Sequence, residues 1–245
     1  MAIAKQFNNI IERQLHVFAA WLPVTNTFKL GDYGIITDGV FVKMGNIKEF
    51  DVDISEGTGN ESSIDFTSEG TRVINFAAGA QVDVIPEGAI DAKVTFKFDK
   101  EQSFIIKSPT INVDQMENVN EAGEKLMANP KWQDRFKVVH QTYLAKQATI
   151  ISTIDAGTEV TLTGDAKALE KLNVGDASIN LTSNNKLGLT IQGQEGVIGL
   201  GLFQIIKGGF LGIGGKRKVQ VLEDEEESEQ PQIQFLSAGE VEDDL

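Results

Sequence analysis

Residues 135–164 read RFKVVHQTYLAKQATIISTIDAGTEVTLTG. Val, Ile, Thr and Tyr dominate two runs, 135–145 and 148–154, and Asp155-Ala156-Gly157 separates them from the alternating TEVTLTG of 158–164. β-branched and aromatic residues in short runs punctuated by turn residues predict strands, and turns this short join antiparallel neighbours. This stretch therefore starts an antiparallel meander. Downstream, a short helix is expected over 166–172, followed by strands at 177–183, 186–192 and 197–206, with Asn184-Asn185 as a turn.

Upstream, AKVTFKF at 92–98 places Ala92, Val94, Phe96 and Phe98 on one face and Lys93, Thr95 and Lys97 on the other. SFIIKS at 103–108 is expected to be its hairpin partner across 99–102. Asp114, with Glu117 three residues on, resembles a capping box and predicts a helix lined by Met116, Val119, Gly123, Leu126 and Met127, closed by Asn129-Pro130. Asp38-Gly39 between two apolar runs predicts a hairpin with strands at 33–36 and 40–44, because both turn residues tolerate positive φ. Residues 55–63 read as a polar loop, 71–84 as strand, and Pro86-Glu87-Gly88 as a turn. At the N-terminus, Ile3, Phe7, Ile10, Ile11, Leu15, Phe18 and Leu22 follow the helical period up to Pro23, with Gln14 as the polar interruption.

The fold class expected is α+β: a large twisted antiparallel sheet with an N-terminal amphipathic helix, an interior helix and an acidic C-terminal tail. One domain over 1–221 and a tail over 222–245 are expected, the tail either disordered or docked. The charge divides at the same place. Of a net −14, residues 223–244 hold ten acids and no base, leaving the preceding chain at −4.

Composition excludes several functions. With no cysteine there is no disulfide, thiol nucleophile or thiolate metal site. The two histidines, His16 and His140, have no second histidine at metal-ligand spacing. GGFLGIGGKRK at 208–218 resembles a phosphate-binding loop, but Phe210 stands where the first glycine is needed and Arg217 where a hydroxyl would hold magnesium. No clustered cations offer a nucleic-acid footprint. No nucleophile elbow or calcium loop occurs, so no catalytic, cofactor or metal residues are assigned. A dispersed pair of carboxylates is the one enzymatic reading left open. GVIGLGLFQIIKGGFLGIGG at 196–215 has the length of a membrane span, but eight glycines and Lys207 make it a poor helix. The N-terminus has no uninterrupted apolar run of a signal peptide, so a cytoplasmic location is expected.

Two features point toward a surface. A helix bearing Phe7, Phe18 and Trp21 on one face and Lys5 and Arg13 on the other suits a membrane interface as well as a core. In the tail, PQIQFL at 231–236 sets Ile233, Phe235 and Leu236 between acidic blocks, the pattern of a docked strand or linear motif.

The order of elements is similar to that of the gasdermins, especially their bacterial members. The likeness is carried by IDAKVTFKF (90–98), the helix at Asp114, NPKWQDRFKVVHQTYLAKQATIISTIDAGTEVTLTG (129–164) and VIGLGLFQII (197–206), about half the chain. The resemblance implies a pore-forming protein, monomeric until a protease removes its C-terminal segment, then a membrane-bound homo-oligomer. Lys93, Lys97, Lys216, Arg217 and Lys218 would meet anionic headgroups, screened at rest by the acidic tail. The chain departs from the bacterial members in lacking the N-terminal cysteine used for lipidation, and in a shorter, more acidic tail. The competing expectation is a non-enzymatic binding or assembly protein of a bacterial conflict, phage or secretion system.

Overall fold

The structure, a computed structural model, describes residues 2–170, 179–206 and 232–236. Its elements in chain order are α1 (Ala2–Leu15), β1 (Phe18–Ala19), β2 (Asp32–Thr37), β3 (Val40–Asn46), a 3-10 turn (Ile47–Phe50), β4 (Glu56–Thr58), β5 (Ser62–Thr67), β6 (Thr71–Ala77), β7 (Ala80–Val82), β8 (Ala92–Phe98) and β9 (Phe104–Met116). Then follow α2 (Val119–Met127), β10 (Lys137–Thr153), β11 (Thr158–Gly164), α3 (Ala166–Glu170), β12 (Asn180–Ser183), β13 (Leu187–Ile206) and β14 (Gln232–Leu236). The fold is α+β with a large antiparallel sheet and an N-terminal helix.

Every strand pairing is antiparallel, in two sheets. β13 and β10 form the spine of the nine-stranded sheet, which β2 and β3 continue on one side. β9 also pairs with β10 and carries β4 and β5, while β1 and β14 share the other edge of β13. The second sheet runs β12-β11-β8-β6-β7. The hairpin at Asp38-Gly39 forms as its chemistry requires, with φ of 52° and 70° at the two turn residues.

Tertiary context overrides local signals at several places. α1 stops at Leu15, not at Pro23: His16 adopts φ 58°, and the chain turns back so that Phe18 and Ala19 pair with Leu200 and Gly199. The buried Asn8 side chain accepts from Ala19 N–H at 2.9 Å, tying the strap to the helix it follows. Asp114 lies within β9, and α2 begins after Asn118. That amide makes no capping bond, because it accepts from Ser55 N–H at 2.8 Å and donates to Asp53 C=O at 2.9 Å. The 55–63 segment is not wholly loop, since β4 and the start of β5 lie within it and both pair with β9. The 135–154 and 186–206 stretches are one long strand each, β10 and β13, bulged where a break was expected.

The 14 residues of α1 lay Phe7, Ile10 and Ile11 on Phe104, Ile106, Ile150 and Ile198 of the large sheet. Removing such side chains from water contributes about 1.5–3 kcal/mol each. A second cluster joins Val94, Phe96, Val160 and Leu162 of the smaller sheet to Ile105 and Ile151 of the larger. α2 covers a third, in which Ala122 and Leu126 meet Val138, Phe203 and Ile205.

Candidate functional site

Two regions hold groups whose placement needs an explanation beyond packing. The first is where the chain leaves the smaller sheet for the larger. β8 and β9 are not a hairpin: β8 pairs with β11 and β6, and β9 with β10, β4 and β5. Yet the two ladders are one. The residue numbers of every partner pair add to 256, both between β9 and β10 and between β8 and β11. The backbone reaches into the gap from both sides: Thr153 N–H donates to Ser103 C=O in register, whereas Gly157 N–H donates to Phe98 C=O one residue out of it. Residues 99–103 and 153–157 are segments of equal length, so the register is the same on either side of the bend they make. Gln102, at φ 52°, sits in the bend.

Beyond the bend the paired strands have unlike faces. Val94 and Phe96 oppose Leu162 and Val160, all four buried. On the other face Thr95 meets Thr161, their hydroxyls 3.1 Å apart, and Lys97 forms an ion pair with Glu159 at 2.6 Å. Lys93 lies over the ring of Phe76 at 4.9 Å. The neighbour β6 does not keep this pattern, since Asn75 opposes Val94 and Phe76 opposes Lys93. The loop leading into β8 exposes Val84 (78 %) and Ile90 (81 %).

The second region is the edge of β13. β14 adds to it in register, Leu202 opposite Leu236, Phe203 opposite Phe235 and Ile205 opposite Ile233. Ile233 reaches α2, where its Cδ1 lies 2.8 Å from the position a Cβ on Gly123 would take. Phe235 stands edge-on to His140 at 4.8 Å between centroids, and Phe203 contacts the same imidazole at 6.2 Å. Leu236 packs on the cluster of Phe18, Leu200 and Leu202. Burial pushes His140 down to about 4, since an imidazolium there would lose water without gaining a counter-charge.

The remaining sequence candidates lie elsewhere. Phe7 is fully buried against Trp21 and Phe104, Phe18 is buried in β1, and Trp21 is half-buried. These side chains belong to the core in this conformation. Lys93 and Lys97 share the polar face of β8. Lys216, Arg217 and Lys218 lie outside the described residues, as does most of the 222–245 tail. Gly123 and His140 escaped the sequence reading as partners of the tail, although a glycine inside a helix was a usable signal for close approach.

Among the described residues, no cluster of three or more His, Asp and Glu is arranged to hold a metal ion. A broad cleft beside β6, β8 and α3 is lined by Val73, Val84, Phe96, Lys107 and Lys167, and its acids Asp83 and Glu87 stand on an exposed loop. No helix among the described residues is long and apolar enough to cross a membrane, which leaves strands untouched as a means of crossing. No family model matches the chain, and neither a curated protein nor a solved structure matches it.

Proposed function

We propose that the chain permeabilises membranes and is held closed by its C-terminal strand, the activity expected of a gasdermin-like protein. The observation that carries this reading is the single register shared by the ladders on either side of the bend. Straightening 99–103 and 153–157 lengthens this ladder with every β9–β10 and β8–β11 pair kept, while β6, three residues out of step with β5, has to slip or separate from β8. A membrane solvates no backbone polar group, so strands cross it only when paired all round in a closed ring. Each crossing takes about 9–11 residues with one apolar and one polar face. The 92–98 and 158–164 segments supply those faces, with Lys93, Lys97, Thr95 and Thr161 on the wet side.

In this reading several copies assemble on an anionic membrane after a protease cuts between β13 and β14. Lys93 and Lys97, and Lys216, Arg217 and Lys218 in the cut segment, meet the headgroups. The protein resides in the cytoplasm beforehand and needs no cofactor. The test is dye release from anionic and neutral vesicles, using the full chain with a protease sequence inserted between 206 and 232. The cut chain should release dye from anionic vesicles at micromolar concentration and the uncut chain should not. A cut chain that leaves both vesicle types sealed overturns the proposal.

A second reading rests on β3, whose outer edge ends the large sheet and exposes Val42 (46 %) and Met44 (52 %). An edge with no strand partner among the described residues and with exposed apolar side chains invites strand addition, as in a non-enzymatic assembly protein. Light scattering separates the two: a stable multimer of the uncut chain, without membrane activity, favours assembly.

A further inference from the structure

We propose that the edge of β13 beside α2 is a strand-acceptor site, one that recognises a separate extended peptide of the pattern Ile-x-Phe-Leu. The reading deepens the proposed function by naming the chemistry of a regulator, but it rests on the docked strand alone and is tested without membranes.

Three features argue that the site recognises sequence and is not a by-product of chain connection. First, the connection is far longer than the pairing needs. Two antiparallel neighbours are joined by as few as about two residues, whereas 25 separate Ile206 from Gln232. Second, the acceptor is shaped for side chains. Gly123 is the position on α2 where the absence of a Cβ admits Ile233, and any larger residue would meet its Cδ1. His140 presents its ring edge to Phe235, which otherwise stays exposed (59 %), and Phe18, Leu200 and Leu202 receive Leu236. Third, the ladder between Leu202–Ile206 and Gln232–Leu236 supplies backbone hydrogen bonds to any extended segment. Backbone pairing with pockets for alternate side chains is how sheet edges capture peptides. The segment itself, QIQFL, carries no charge, so the acidic blocks flanking it are not needed for the fit.

A peptide in trans therefore does what the tethered strand does. Once the native strand has been cut free, a neutral segment of another chain with the same pattern takes its place and closes the site again.

The experiment uses the full chain with a protease sequence inserted between 206 and 232, and a fluorescent peptide covering residues 229–239. After cutting, anisotropy should report saturable micromolar binding. The uncut chain should bind at least about a hundredfold more weakly, because its own strand fills the site and is joined to it covalently. A peptide with Ile233→Ala should lose roughly tenfold, the loss expected on removing a half-buried aliphatic side chain. G123L in the protein should abolish binding. Leucine has higher helix propensity than glycine, so α2 should not suffer, and an unchanged melting curve confirms it. With His16 as the only other histidine, the His140 proton resonances give an independent readout: the pH at which they titrate should rise when the strand is gone and fall again on adding peptide, since burial is what pushes His140 down.

Equal binding by cut and uncut chain, equal binding of a scrambled peptide, or unchanged binding by G123L each overturns the acceptor site. A cut chain that binds peptide but leaves vesicles sealed overturns the pore reading and keeps the acceptor site. A chain that releases dye and ignores peptide does the reverse.

Discussion

The imidazole of His140 meets the ring of Phe235 edge-on, their centroids 4.8 Å apart, and this contact ties the last described strand to the spine of the sheet. Burial holds His140 at about 4, below the ordinary 6.5. The unfolded chain therefore binds a proton that the folded chain refuses between those two values, and stability rises with pH across that window. The contribution is fully present above about pH 6.5, is lost as pH falls toward 4, and amounts to at most about 3 kcal/mol. His140→Phe should flatten the curve of unfolding free energy, from urea titrations, against pH between 6.5 and 4 while leaving its value at pH 7.5 within about 1 kcal/mol. A curve that keeps its slope in the variant assigns the acid sensitivity to other groups.

The strap after α1 crosses β13 at a glycine. A Cβ on Gly196 would lie 2.6 Å from Val24 Cα, against backbone that cannot rotate away. Val24 N–H donates to Val197 C=O at 3.0 Å, and the Asn26 side chain donates to the same carbonyl at 2.8 Å and to Leu22 C=O at 2.8 Å. Gly196→Ala should push the strap off these acceptors and cost about 1–3 kcal/mol, as overpacking does. Equilibrium urea unfolding measures it, and a variant as stable as the parent would mean that the strap yields freely.

The regular alternation at 92–98 and the Asp38-Gly39 turn were legible because period and turn chemistry are local. What was not legible is which strands pair. SFIIKS stood close enough to AKVTFKF to suggest a hairpin, but β8 instead pairs with β11 some sixty residues on, where Glu159 meets Lys97 and Leu162 meets Val94. No local signal records such a partner, although the matching patterns KVTFK and EVTLT hinted at it. The α1 boundary misled for a related reason. Phe18 continues the helical period, yet its burial is won against Leu200 on β13 after the chain has reversed at His16. At the tail, Ile233, Phe235 and Leu236 stood out as apolar residues among acids; of their receivers, Gly123 was marked only as a glycine inside a helix and His140 by nothing until the strand is laid beside it.

Val84 and Ile90 stand almost free of the protein on the loop entering β8. Exposed apolar side chains at the tip of an amphipathic ribbon are placed to enter a bilayer first, although the neighbouring Asp83, Glu87 and Asp91 oppose an anionic surface. Replacing both with glutamate should leave folding stability within about 0.5 kcal/mol, since neither side chain is packed. In the cut chain, dye release from anionic vesicles should slow at least about tenfold, because a charge on the lipid face costs on the order of 2 kcal/mol or more. Undiminished release would show that this loop does not lead the ribbon into the membrane.

The shared register also predicts what a crosslink does. Thr95 and Thr161 face each other across β8 and β11 with hydroxyls 3.1 Å apart, and the chain has no cysteine to interfere. That separation places their Cβ atoms near the range a disulfide spans. T95C/T161C should therefore oxidise cleanly and raise stability by about 2–4 kcal/mol, given the long loop it closes. If activation straightens the bend while every pair that adds to 256 stays paired, the oxidised, cut variant should release dye at a rate within about threefold of its reduced form, as the bond joins partners that never separate. A mechanism that peels β8 from β11 makes the opposite demand: oxidation would silence the protein and reductant would restore it. Dye release measured on one preparation, before and after reduction, chooses between a ladder that extends and a ladder that is taken apart.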